Sequence, residues 1–512
     1  MNSQEPIFAL IKGMTQTEKR AFKRTAFLNK ATEAGHFTIL FDAIDKQKMY
    51  DEAKLKKRLP AGALQNNFAT FKYQLYQYLL YVLADYHYSI SSESVVAHLQ
   101  HQARVLFRRG LLAQCHKIQL KAMAKAKEHE LFAQMLDMLE QERATVSFLY
   151  HGQDLLLRFE KILQEKKYAM AMLSNLGIYE ALRDRLYSFY VKTGVGRTAA
   201  DAKILKAIMS APVLKSEKEA LSVRAKLMFH YLWYTYGFII GDTKMMLLHA
   251  RAQIQVYELS VNMIKDNLTK YQHQLHQLAT VESDLFLEKD FLHTLAKIRE
   301  LPAKYSKQCT DFTRANIIES VLYFELDYAE TKAEPERVTK ILEEHENELE
   351  HYLPMFTEAS VVVVFYKIAT LLMEAGKPKQ ALDWFERIMA FRNQPVREDI
   401  QAFTRILQLM CYFEIGSLKI LPSVLKSTYR SLNKKDRLYP LEKMFLATMH
   451  KLANKPGKKV KDYFLELRHE MLELQKDENE AYALQYFPFM EWVTAQIENV
   501  TIAQVMKRNN KK

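Results

Sequence analysis

The sequence predicts an all-helical chain, most of which is a solenoid of stacked helix pairs. Three observations carry this. Glycine and proline number only 13 and 12 in 512 residues, well under the roughly 12% that ordinary usage gives the two together. Leu, Lys, Glu, Gln, Ala and Met are abundant instead, and these lose little rotamer freedom in a helix. Turn-like positions recur at Gly110, Gly152, Gly194, Gly241, Lys289, Ala333, Gly376, Gly416 and Lys455, with gaps of 39 to 48 residues. A periodic chain of this length is the mark of a repeat array.

The same counts exclude other classes. An α/β enzyme spends glycine on phosphate loops and a sandwich spends glycine and proline on turns, so neither suits this composition. Cys115, Cys309 and Cys411 lie far apart with no CxxC spacing, which argues against a disulfide framework and points to a reducing cytoplasm. Residues Met1 to Pro6 lack the basic and apolar regions of a signal peptide. The apolar stretches 227–240 and 361–373 are shorter than the roughly 20 residues a bilayer requires and read as buried helices.

Residues 1–95 stand apart from the repeat as a helical cap or small helical domain. Thr15 and Glu18 have capping-box spacing for a helix through Thr25. Further helices are expected from Phe37 to Gln47, from Glu52 to Leu59 behind the cap Asp51, and from Asn66 to Tyr86. Short helix, turn, short helix is also the outline of a helix-turn-helix, although the turn Met49-Tyr50-Asp51 lacks glycine. Residues 96–480 hold the repeat and 481–512 a C-terminal capping helix with a basic tail. A single helix from Glu480 to Val505 would turn Tyr486, Phe489 and Trp492 inward, and the tail beyond Lys507 shows no pattern.

The clearest repeat runs from Phe365 to Phe385. Phe365, Ile368, Ala369 and Leu372 share one face of a first helix, Gly376 turns the chain, and Ala381 and Phe385 line a second helix. These positions resemble a tetratricopeptide (TPR) repeat, with helices longer than that family's 34-residue unit. The resemblance implies a right-handed α-solenoid. The segments TQTEKRAFKRTA and LFDAIDKQKMYDEAKLKKRL in residues 15–26 and 40–59 resemble the N-terminal region of bacterial TPR-containing proteins, which implies no activity.

By TPR register the inner groove would be lined by Tyr231, Thr235 and Phe238 in one unit, then by Tyr366, Thr370 and Met373, then by Phe403 and Met410. The lining is apolar and aromatic, so the expected partner is an amphipathic helix or apolar peptide. The competing reading is that the superhelix closes on itself and these residues are core. The leading functional expectation is a cytoplasmic, non-enzymatic scaffold or adaptor for a protein or peptide.

The alternative is a nucleic-acid-binding regulator. The net charge is +13, and residues 419–461 carry 12 Lys/Arg against 2 Asp/Glu, including Lys434, Lys435, Arg437, Lys455, Lys458, Lys459 and Lys461. Such a cluster gains from counterion release on a phosphate backbone, or simply keeps a helix face solvated. The N-terminal 72 residues are basic too, 13 against 7. The tyrosines Tyr73, Tyr76, Tyr78, Tyr81, Tyr86 and Tyr88 flank a helical stripe of Phe68, Leu75, Leu79 and Val82 and read as packing before base-stacking platforms.

Motifs for chemistry fail on context. His98/His101 and His273/His276 are i, i+3 pairs without further ligands at recognisable spacing, so no metal and no cofactor is expected. Gly194 to Ala199 matches GxGxxA, but the preceding residues are helix-patterned where a dinucleotide fold needs a strand. His129-Glu130 starts an HExxH that Ala133 ends.

Overall fold

The computed structural model describes residues 5–28, 32–60, 62–88, 91–193, 199–392, 394–435, 437–454, 460–476, 480 and 483–509, and among these every regular element is a helix. The chain divides into two compact units, residues 1–239 with 255–267, and residues 240–254 with 268–512.

The first unit opens with α1 (Pro6–Gly13), α2 (Gln16–Leu28), α3 (Thr32–Asp45), α4 (Glu52–Arg58), α5 (Ala63–Asn66) and α6 (Phe68–His87). The capping box forms, Glu18 N donating to Thr15 Oγ1 at 3.2 Å and Thr15 N to Glu18 Oε2 at 2.6 Å. Asp51 caps α4 by accepting from Lys54 N at 2.9 Å. Helix α1 was not foreseen; it starts on Pro6, tolerated in a first turn because that N–H would have no partner there. Most buried residues of these helices, from Ile7 to Val82, share one core, which among the described residues takes in none beyond α6. Phe68, Leu75, Leu79 and Val82 of α6 point into it, and Tyr73 and Tyr81 point out.

Next come α7 (Ser92–Arg108), α8 (Leu112–Glu128), α9 (Phe132–Leu149) and the 42-residue α10 (Gly152–Thr193). Helix α10 serves separate cores along its length. Ile162 packs with Leu139 and Val146, and Ala169 with Val96 and Met135. Leu176 to Phe189 pack with α11 (Ala199–Met209) and α12 (Val223–Ile240). The helices α13 (Thr243–Leu259) and α14 (Val261–Asp266) follow.

The second unit is where the pairing is plainest. Its helices are α15 (Leu268–Asp284), α16 (Glu288–Lys304), α17 (Asp311–Thr331), α18 (Arg337–Tyr352), α19 (Glu358–Glu374), α20 (Pro378–Met389), α21 (Glu398–Glu414), α22 (Leu421–Lys434), α23 (Pro440–Asn454) and α24 (Val460–Leu474). From α15 to α21 each odd-numbered helix contacts the even-numbered helix after it and the next odd-numbered one, as stacked hairpins must to bury their apolar faces. Between α15 and α17 the seam is polar and in register. Thr269 meets Thr313, Gln272 meets Asn316, His276 meets Ser320 and Ser283 meets Asp327, every pair 44 residues apart.

One turn closes these hairpins. At Gly376 (φ +72°) the amide donates to Met373 O at 2.9 Å, and Lys377 N donates to Leu372 O at 2.8 Å, the bond pair of a Schellman motif. The same two bonds recur at Gly110, Glu130, Phe286, Ala333 and Gly416, all with positive φ. The turn expected at Lys289 is therefore corrected to Phe286, with Lys289 inside α16. Gly194 and Lys455 lie outside the described residues.

The C-terminal segment is also corrected. In place of one helix from 480 to 505 there are a 3₁₀ turn at Leu484–Tyr486, α25 (Phe489–Glu498) and α26 (Ile502–Asn509). Pro488 has no N–H to continue a helix across it, and Asn499 turns left-handed at φ +57°. The tail residues Lys507 and Arg508 are helical, paired with Glu336 and Glu498.

Candidate interaction face

Helices α19, α21 and α23 carry the C-terminal segment on their surface. Trp492 is fully buried, its ring 6.2 Å from Phe445 of α23 and 5.3 Å from Phe464 of α24. Phe489 sits 4.8 Å from Phe445. Tyr486 stacks on Phe403 of α21 at 4.3 Å and donates its hydroxyl to Asp399 at 2.8 Å. Tyr366 of α19 donates to the Tyr486 carbonyl at 3.0 Å. Helix α26 reaches α19 with Ile502 and Val505 buried. The segment thus returns from the last hairpin across the first helices of three successive pairs.

Three carboxyls lie beneath it. Glu374 is the last residue of α19, completely buried, with neither oxygen hydrogen-bonded. Burial pushes its carboxyl well above the usual range, and the nearby Glu330 and Glu491 carboxylates add to this against the pull of Lys367. Glu414 is the last residue of α21; it accepts from Trp492 Nε1 at 2.5 Å and Gln496 Nε2 at 3.2 Å, and burial raises it too. Glu442 on α23 is pushed up to about 7, first by burial and then by Glu480. Lys367, whose charge acts on Glu374, is paired with Asp327 at 2.8 Å and Glu330 at 3.1 Å. Burial pulls its ammonium down, but those two carboxylates outweigh it and hold it above its ordinary value.

The structure gathers five of the sequence-derived groove residues in one place. Tyr366, Thr370, Met373, Phe403 and Met410 are all buried, and Tyr366 and Phe403 lie under Tyr486. Of the two expectations, an open groove or a closed core, their burial matches the second, with Tyr486 lying over Tyr366 and Phe403. Tyr231, Thr235 and Phe238 belong to the other unit; Thr235 Oγ1 donates to the Tyr231 carbonyl at 2.8 Å, and the half-exposed Phe238 meets Tyr190 edge-on at 5.6 Å. The buried carboxyls were missed, since a glutamate in LLMEAG reads as a solvent-facing residue.

Two cations of the basic patch share one carboxylate. Lys435 and Arg437 both bind Glu398, at 3.2 and 3.5 Å. Lys434 and Lys461 are exposed, and Lys455, Lys458 and Lys459 lie outside the described residues. Among the described residues no group of three or more His, Cys, Asp or Glu is placed to hold a metal ion, and no helix is long and apolar enough to cross a membrane. The GxGxxA stretch falls largely outside the described residues, between helices α10 and α11.

Ser92, His129 and Asp266 assemble into what resembles a catalytic triad without its geometry. His129 Nδ1 meets Ser92 Oγ at 2.8 Å and Asp266 Oδ2 at 2.6 Å, while the Ser92 hydroxyl donates to Asp266 itself. A nucleophile's base needs serine and aspartate on opposite ring nitrogens. Here both share one, so the cluster ties α7, the end of α8 and α14 together and activates nothing.

No family model matches the chain, and no curated protein matches it. Among solved structures it is similar to a Rap protein complexed with competence and sporulation factor, at 14% identity over 82% of this chain and 99% of that one, with a TM-score of 0.32.

Proposed function

We propose that this chain is a non-enzymatic interaction adaptor whose face on α19, α21 and α23 receives a helical segment. The observation that carries the reading is that this face already holds one. Residues 486–505 lie along it with Trp492 fully buried and Tyr486 stacked on Phe403. An amphipathic helix laid into an apolar groove through spaced aromatic anchors is a recurrent mode of protein recognition. Of the buried acids, Glu414 is engaged by Trp492 and Gln496, and Glu374 accepts no hydrogen bond among the described residues.

The test is occupancy in trans. Trp492→Ala removes the main anchor, at about 3–5 kcal/mol for a fully buried aromatic. A synthetic peptide of residues 484–509 is expected to bind that variant and raise its urea midpoint, with little effect on the wild-type chain, whose face is filled. A peptide that neither binds nor stabilises the variant removes the helix-receiving face from consideration.

A further inference from the structure

Helix α10 presents a second apolar face, away from its cores. Leu156, Glu160, Leu163, Lys167 and Met170 follow one another at alternating steps of four and three, so at about 100° per residue they form one stripe. Leu156, Leu163 and Met170, with Leu157 beside them, are each half or more exposed. The packed side of the same stretch is that of Ile162 and Ala169, roughly opposite. A solvated helix face is ordinarily polar and charged, and apolar residues continuous along one mark a contact surface.

The two charges on the stripe are Glu160 and Lys167, and among the described residues neither has an ion-pair partner. Their neighbours off the stripe are engaged within the chain. Glu165 pairs with Lys127 at 3.0 Å, Lys166 pairs with Glu140, and the Arg158 guanidinium lies 4.2 Å from the centre of the Tyr150 ring. Reversed end for end, the stripe becomes its own complement. A two-fold axis between Leu163 and Gln164 sets Glu160 of one copy against Lys167 of the other, twice over. It also sets Leu157 against Met170 and Leu156 against the small Ala171. Parallel pairing would oppose like charges at both positions. The complement that the stripe calls for is thus present in the stripe itself, which is the condition for an isologous contact between two copies.

We infer that the chain pairs with a second copy of itself through this solvent-facing stripe of α10, the two helices antiparallel, with Leu163 at the two-fold axis and a Glu160–Lys167 ion pair on either side. The pairing is independent of the helix-receiving face proposed above. The apolar residues supply the attraction, and the two charges fix direction and register, since a like-charge juxtaposition excludes the wrong ones. From Leu156 to Ala171 the stripe is about 23 Å long. That is a small interface, and the dimer forms with a Kd on the order of 10 µM.

The experiment is sedimentation equilibrium of the full chain over roughly 1 to 100 µM, a range that brackets this Kd. The mass is expected to rise from that of one chain towards that of two. Leu163→Glu, at a half-exposed position, is expected to hold the chain monomeric throughout with its urea midpoint unchanged. Glu160→Lys and Lys167→Glu each turn both ion pairs repulsive, and each is expected to weaken the dimer about tenfold. The double exchange Glu160→Lys with Lys167→Glu is expected to restore it, and so is an equimolar mixture of the two single variants. A chain that stays monomeric at every concentration overturns the inference, as does a dimer that Leu163→Glu leaves intact. A dimer lost with Leu163→Glu but indifferent to the charge exchanges overturns the antiparallel pairing.

Discussion

Glu442→Gln tests the energetics of the covered face directly. Glu442 is buried in the first turn of α23, its Oε2 without a hydrogen-bond partner, with Glu480 and Arg437 the charged groups near it. Burial, then Glu480, lifts the carboxyl from 4.5 to about 7. The folded chain therefore holds this proton more tightly than the unfolded chain does. Stability contributed by the protonated acid is fully present below about pH 4.5, declines as pH rises through about 7, and is level above that. A shift of that size corresponds to roughly 3 kcal/mol at most. Glutamine keeps the shape, stays neutral at every pH and cannot repel Glu480. Urea unfolding of both proteins at about pH 5 and about pH 8.5 should show the wild type losing stability that the variant keeps. Glu374 and Glu414 are raised as well, so some slope persists in the variant, and the quantity of interest is the difference between the two slopes. Identical slopes would refute the reasoning.

Phe286 is 81% exposed at φ +55°, so Phe286→Gly should stabilise the chain by about 1 kcal/mol, read as a higher urea midpoint. His345 lies between Glu325 at 2.9 Å and Glu348 at 3.2 Å, and the Glu325 hydrogen bond raises its imidazole. That contribution is complete below its ordinary value of 6.5 and fades as pH rises through the folded value, so His345→Gln should destabilise the chain at about pH 6 more than at about pH 9. Because Lys435 and Arg437 share the one carboxylate of Glu398, Lys435→Ala should weaken retention on a polyanion column and Glu398→Ala should strengthen it, each changing the cluster by one unit of charge.

The helices were legible because their signals are local. Thr15 with Glu18 and Asp51 before α4 announce their caps, and Gly376 and Gly416 mark turns that only a left-handed residue closes without strain. The same turn on Ala333 was legible only from the repeat spacing, and on Phe286 or Glu130 it sends no such signal, since the motif demands a conformation and glycine is only its cheapest means. For the site, the TPR register placed Tyr366, Phe403 and Met410 on one apolar face, but a register says which face is apolar and not what covers it. The cover comes from Tyr486, 120 residues beyond Tyr366, and no window along the chain joins them. The acids were hidden for a related reason: one glutamate among leucines looks the same whether it meets water or a returning helix.

Helix α10 sets a phase relation for the first unit. Its N-terminal half fits the cores under α7 to α9 through Ile162 and Ala169, and its C-terminal half fits α11 and α12 through Leu176 to Phe189. Its 42 residues run about 63 Å as one rod, each residue advancing the face by about 100°. A single residue gained or lost between Ala169 and Leu176 would therefore rotate one core's contacts by more than a quarter turn against the other's. The middle of α10, where Met172 and Asn175 already hold their neighbours, is thus fixed in number as well, like the spacing between two gears on a shaft.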